Sequence, residues 1–140
     1  MASTRTPSTP PAAASRTRSP LFSALIGLAG LGILLQGVWA GQFIREGSDF
    51  RQNWVNVHSI GGTVIDVLAL VAMIIAIVQL RARRDILVGS IVFFVLVVLE
   101  GFIGAFIGDH PALEALHIPV ALFLMGMVAV LSFRASRPAA

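Results

Sequence analysis

VLEGFIGAFIGDHPALEALHIPVALF, residues 98–123, decides the fold. It runs from an apolar helix carrying one acid, Glu100, through a short polar turn, into a second apolar helix with His117 near its start. An ionisable group in an apolar 20-mer is costly in hydrocarbon and usually marks a site. A histidine at the head of the next helix adds a candidate metal or haem ligand.

The same pattern stands earlier in the chain. LQGVWAGQF at 35–43 aligns with LEGFIGAFI at 99–107 at a constant offset, which sets Gln36 on Glu100 and Gly37 on Gly101. After a connection five residues longer, WVNVHSIGG at 54–62 aligns with LEALHIPVA at 113–121 and sets His58 on His117. The chain reads as two copies of one helical hairpin, with Gln or Glu on the first helix and His on the second.

Composition points the same way. Of 140 residues, 56% are hydrophobic and only 12% charged, against about 25% charged in a soluble domain. The mean hydropathy is +0.88. All ten basic residues are Arg and lie outside the apolar runs, with no basic patch interleaved with aromatics. The net charge of +3 is therefore no nucleic-acid signal. The absence of Cys excludes a disulfide, a Cys-ligated zinc, an iron–sulfur cluster and thiol chemistry within this chain. No glycine-rich phosphate loop is present, and the serines lack a His/Asp constellation.

Residues 1–20 are rich in Ser, Thr, Pro, Ala and Arg without acids, and read as a disordered basic tail. A transit peptide is the lesser reading of that tail. Four apolar runs follow, at 21–44, 54–80, 86–107 and 112–133. The first carries no charge, and at about 1.5 Å per residue it spans a hydrocarbon core of about 30 Å. A cleaved signal peptide is its other reading, since Val38 and Ala40 fit small-residue cleavage positions. Its length, and its repeat partner inside the chain, favour a retained span. The 45–53 stretch is a polar loop, with Trp54 placed as an interfacial anchor. Pro111 suits the first position of a helix, and Pro119 predicts a kink inside the fourth.

The predicted fold is all-α: an integral membrane four-helix bundle, up-down, built from two repeated helical hairpins. It covers 21–134 and ends in a short tail at 135–140. Eight of the ten arginines lie in the N-terminal tail, the 81–85 turn and the C-terminus. The positive-inside rule puts those three, and both tails, in the cytoplasm. His58 and His117 then lie near the outer face of a multi-pass protein, expected in a bacterial plasma membrane.

Short connections make consecutive helices neighbours, so the second and fourth are diagonal and run the same way. Their histidines stand at similar depth on opposite sides of the axis. A six-coordinate haem takes two imidazoles from opposite faces, which makes His58 and His117 candidate ligands of one haem iron. Gly62 and Ala121 follow them at i+4 on the same helix faces and would leave room for a porphyrin edge. The plainer reading is close helix packing, which also suits the pairs Gly37/Gly41 and Gly104/Gly108. His110 has no repeat partner, precedes a proline and reads as a surface residue.

Two acids lie deep within the spans. Glu100 is about 10 Å below the outer end of its helix and Asp66 about 18 Å below Trp54. No Lys exists and no Arg falls within a span, so neither has an intramembrane cation. They, with Gln36 at the repeat position of Glu100, are proton-relay or quinone-contacting groups in one reading and hydrogen-bonding glue between helices in the other.

At these residues the chain resembles one four-helix half of the haem A synthase family. The likeness rests on LEGFIGAFIG…ALHIPVALF, a glycine-rich third helix followed by His at the start of the fourth. It implies His58 and His117 as haem ligands over about residues 30–130. Only one half is present. The family's acid one turn before the second-helix His is Val55 here, and the Arg after that His is Ser59. These departures count against catalysis of that type. The chain is also similar to small four-helix bacterial membrane proteins that have no assigned activity.

The leading expectation is a small membrane protein binding one b-type haem between helices two and four, for electron transfer or haem handling. The alternative is a cofactor-free accessory or assembly subunit. Partners expected beyond the lipid bilayer are a second copy, which would rebuild an eight-helix enzyme, or a larger respiratory or haem-pathway membrane complex.

Overall fold

Every helix of this chain is apolar on the side that faces its neighbours and on the side that does not. The computed structural model describes residues 18–43 and 52–137. They form α1 (Pro20–Phe43), α2 (Gln52–Gln79), α3 (Arg84–Phe106), a 3-10 turn (Pro111–Leu113) and α4 (Glu114–Ser136). All four helices are long and apolar enough to cross a membrane. Only 17–28% of each apolar stretch is buried within the bundle, and large side chains such as Leu34, Ile60, Val95 and Leu122 face outward. Apolar residues all round a helix suit lipid outside and protein inside. The chain is a small polytopic membrane protein, an all-α four-helix bundle.

The inward face follows a 3-4 spacing. In α3 it runs Ile86, Ser90, Phe93, Val97, Glu100. In α2 it is Ile65, Ala69, Ala72, Ala76, and in α4 Leu124, Val128, Leu131, Ala135. Such spacing keeps one narrow seam on the bundle axis, as in coiled coils. Helices pack in chain order, α1 on α2, α2 on α3, α3 on α4, and α4 back on α1, with no close backbone approach across either diagonal among the described residues. Small residues set the approach: a Cβ on Gly30 would come within 2.6 Å of Val128 Cγ1. Close backbone approach is the usual basis of packing between membrane helices, where apolar association alone gives little.

The end of the bundle where α1 begins and α4 finishes is locked by polar contacts. Ser19 Oγ accepts from Phe22 N–H at 3.2 Å, an N-cap for α1, and donates to Gln79 Oε1 at 2.7 Å across to the end of α2. Helix α1 therefore starts inside the tail expected over 1–20, with Pro20 at its first turn. Residues 1–17 and 138–140 lie outside the described residues. So does 44–51, most of the loop expected at 45–53, whose last two residues, Gln52 and Asn53, open α2.

Arg83 is buried in the α2–α3 turn. Its guanidinium meets Asp85 at 3.2 Å and donates to the carbonyls of Arg134 at 2.9 Å and Arg137 at 3.1 Å. It thus ties the turn to the C-terminal end of α4, where carbonyls lack helical partners. At the other end, the 3-10 turn opened by Pro111 delays the start of α4 from 112 to Glu114, and α4 runs on to Ser136 rather than 133. Pro119 lies within α4; without an N–H it leaves the Ala115 carbonyl no i+4 donor.

Candidate functional site

The four seams continue past the apolar core towards the end that holds the α3–α4 turn. One heptad from a core residue each becomes polar. Gln36 follows Ala29 by seven on α1, and Glu100 follows Phe93 by seven on α3. On α2 and α4, which run the other way, His58 precedes Ile65 and His117 precedes Leu124 by seven. A side chain seven residues along keeps nearly the same face. The four residues therefore point at one level of the bundle interior.

They meet there in a regular pattern. His58 Nδ1 lies 3.2 Å from the backbone oxygen of Gln36. His117 Nδ1 lies 2.9 Å from Glu100 Oε1, with both side chains largely buried, 21% and 11% exposed. Each histidine thus turns its Nδ1 to the Gln or Glu position of its own hairpin. The two imidazoles face one another across the diagonal, with centroids 6.2 Å apart and planes at 64°. Phe43 closes the side of His58, edge to face at 5.4 Å.

The site holds more polar capacity than it satisfies. Both Gln36 amide atoms, both Glu100 carboxyl oxygens and His117 Nδ1 are buried without an aligned hydrogen-bond partner. The 2.9 Å approach of His117 Nδ1 to Glu100 Oε1 is therefore a close polar contact rather than an aligned hydrogen bond. Each such unsatisfied group costs about 1–3 kcal/mol.

Asp66 is half-buried about two helical turns beyond His58 on α2, and its Oδ2 lies 3.7 Å from where a Cβ on Gly101 would be. It therefore rests against α3 beside Glu100. Gly62 is half-buried, with Gln36 Nε2 4.0 Å from its Cβ position, and Ala121 is half-buried one turn beyond His117. His110 stands exposed in the turn before Pro111.

Tight packing falls on Gly104, one of the glycines singled out from sequence, and on Gly61, next to Gly62. A Cβ on Gly61 would run into the Trp39 ring and come within 2.6 Å of Gln36 Nε2. A Cβ on Gly104 would lie 3.0 Å from His117 Cε1. Of the four glycines read as helix-packing residues, Gly104 is closely packed, while Gly37, Gly41 and Gly108 have nothing within 4 Å of their Cβ positions among the described residues. The i+4 rule found Gly62 but not Gly61, whose neighbour Trp39 comes from another helix.

Among the described residues no group of three or more His, Cys, Asp or Glu side chains is placed to hold a bare metal ion. The site instead offers two imidazoles, each with Nε2 left over once Nδ1 is engaged. No protein-family model, curated protein or solved structure matches the chain.

Proposed function

We propose that this protein binds one b-type haem between α2 and α4, with His58 and His117 as axial ligands, and serves electron transfer or haem handling. The observation that carries the reading is the spacing of the two rings. An iron–nitrogen bond of about 2 Å on each side, plus about 1 Å from nitrogen to ring centre, puts two axial imidazoles about 6 Å apart. The centroids of His58 and His117 are 6.2 Å apart. Their 64° interplanar angle is compatible, since each ring plane can contain the ligand axis whatever the angle between them. Both Nδ1 atoms face an acceptor from their own hairpin. Histidine ligands usually direct their second nitrogen to a carbonyl or carboxylate in this way. Gly104 keeps side-chain bulk away from the His117 ring.

Bound haem supplies one-electron redox chemistry. The chain's part is to present two neutral imidazoles in fixed orientation and to keep them in a largely water-free interior. Attachment is non-covalent, because no Cys is present for a thioether link. Both termini and the 81–85 turn lie in the cytoplasm in this reading, and the haem lies near the outer face of a bacterial plasma membrane, as the arginine distribution favours.

The test is the absorption spectrum of protein purified from haem-replete cells, oxidised and reduced. The expected result is a Soret band that shifts on reduction and a sharp α-band from two nitrogen ligands. His58→Ala or His117→Ala should give a five-coordinate or empty site, while His110→Ala should leave the spectrum unchanged. Colourless protein that does not respond to added haem overturns the reading and leaves a cofactor-free accessory subunit in its place.

A further inference from the structure

The two histidines are held by unlike partners. His58 Nδ1 faces a neutral backbone carbonyl, that of Gln36, at 3.2 Å. His117 Nδ1 faces a side-chain carboxyl, that of Glu100, at 2.9 Å. Glu100 and Gly104 stand at i and i+4 on the same face of α3. They bracket the His117 ring, with the carboxyl at Nδ1 and the bare glycine Cα beneath Cε1, where a Cβ would lie 3.0 Å away. Among the described residues no Arg pairs with Glu100, and the chain has no Lys. Its oxygens have no aligned hydrogen-bond partner among the described residues, and the polar atom the structure sets beside them is His117 Nδ1, 2.9 Å from Oε1.

We infer that Glu100 is a positioning residue for His117, fixing the tautomer that leaves Nε2 free for iron and making His117 the more electron-donating of two unequal axial ligands. The inference rests on the haem reading above. A carboxylate that accepts the Nδ1 proton leaves more electron density on Nε2 than a peptide carbonyl does, and so favours the ferric over the ferrous state. The repeat supplies the comparison within one molecule. Gln36, at the equivalent place, meets its histidine through the main chain, so the side-chain contact of Glu100 is an addition made in the second hairpin only.

The experiment is a redox titration of the full chain loaded with haem b in detergent, comparing wild type, Glu100→Gln and Glu100→Leu. Glu100→Gln keeps shape and an acceptor oxygen but removes the charge. It should retain two-histidine spectra while shifting the ferric–ferrous equilibrium at least tenfold towards ferrous, an upward midpoint shift of about 59 mV for one electron. Glu100→Leu removes the acceptor and should in addition weaken haem binding about 10–100-fold. Residue 100 acting only as packing would leave the midpoint in place. Bound haem with the same midpoint in wild type and Glu100→Gln overturns the inference and leaves the haem reading standing. Failure of the wild type to take up haem overturns both. Should Glu100→Leu not fold, the Glu100→Gln midpoint alone decides.

Discussion

Alanine at Gly61 and alanine at Gly62 are the same chemical change at adjacent positions of one helix, and the structure separates them sharply. A new Cβ at 61 meets the ring of Trp39 and lies 2.6 Å from Gln36 Nε2, whereas one at 62 finds its nearest neighbour at 4.0 Å. The amide of Gln36 can swing aside; the indole of Trp39 is a large rigid plane on α1 and moves only if the α1–α2 contact opens. Overpacking of this kind costs about 1–3 kcal/mol. Both substitutions gain about 0.5–1 kcal/mol because alanine loses less backbone freedom in a helix. Gly62→Ala should therefore be neutral or slightly stabilising, and Gly61→Ala destabilising by about 1–2 kcal/mol, from the same two sources. Unfolding in mixed micelles, followed by far-ultraviolet circular dichroism, reads the difference. Adding Trp39→Leu to Gly61→Ala should recover part of the loss, because the clash is specific to that ring. Equal stability of the two alanine variants, or no rescue by Trp39→Leu, refutes the tight α1–α2 approach at Gly61.

The remaining predictions concern the locked end and the topology. Arg83→Lys should cost about 1–3 kcal/mol, since one ammonium cannot bridge Asp85 and two α4 carbonyls as the guanidinium fork does; a loss of α4 protection in hydrogen exchange should accompany it. Asp85→Asn should change stability by less than about 1 kcal/mol, because the Asp85 side chain is 41% exposed, and a larger loss would mean that the ion pair outweighs the carbonyl contacts. Ser19→Ala removes both the α1 cap and the bond to Gln79, and should destabilise by about 1–2 kcal/mol; in a double-mutant cycle with Gln79→Leu the two changes should be less than additive. The native chain has no Cys, so single cysteines at Ser48 or Ala112 should react with an impermeant reagent from outside and one at Ala82 should not. The opposite labelling would place the histidines on the cytoplasmic side.

The number of helices was legible in the chain itself. Runs of more than twenty apolar residues separated by Arg, Asp, Gly and Pro leave few alternatives to membrane helices. The 3-4 spacing in each run carries the inward face from core positions such as Val97 to Glu100, and from Leu124 back to His117. Periodicity fixes direction around a helix axis, and the internal repeat adds that the two histidines share a level. Neither sets the rotation and height of one helix against its neighbour, which depend on contacts between residues far apart in sequence. Those contacts decided that Gly61 rather than Gly62 lies under Trp39, and that Ser19 belongs to α1 because Gln79 is there to receive its hydroxyl. They also decided that Arg83 reaches across to the end of α4 instead of facing water. Above all they set the partners of the histidines. Sequence placed Glu100 near the outer end of a helix as either relay or glue. Packing of α3 against α4 brought its carboxyl to 2.9 Å from His117, while packing of α1 against α2 gave His58 only a backbone oxygen. The difference between the two hairpins arises from side-chain reach across a helix–helix interface, a distance that spacing along one chain does not encode.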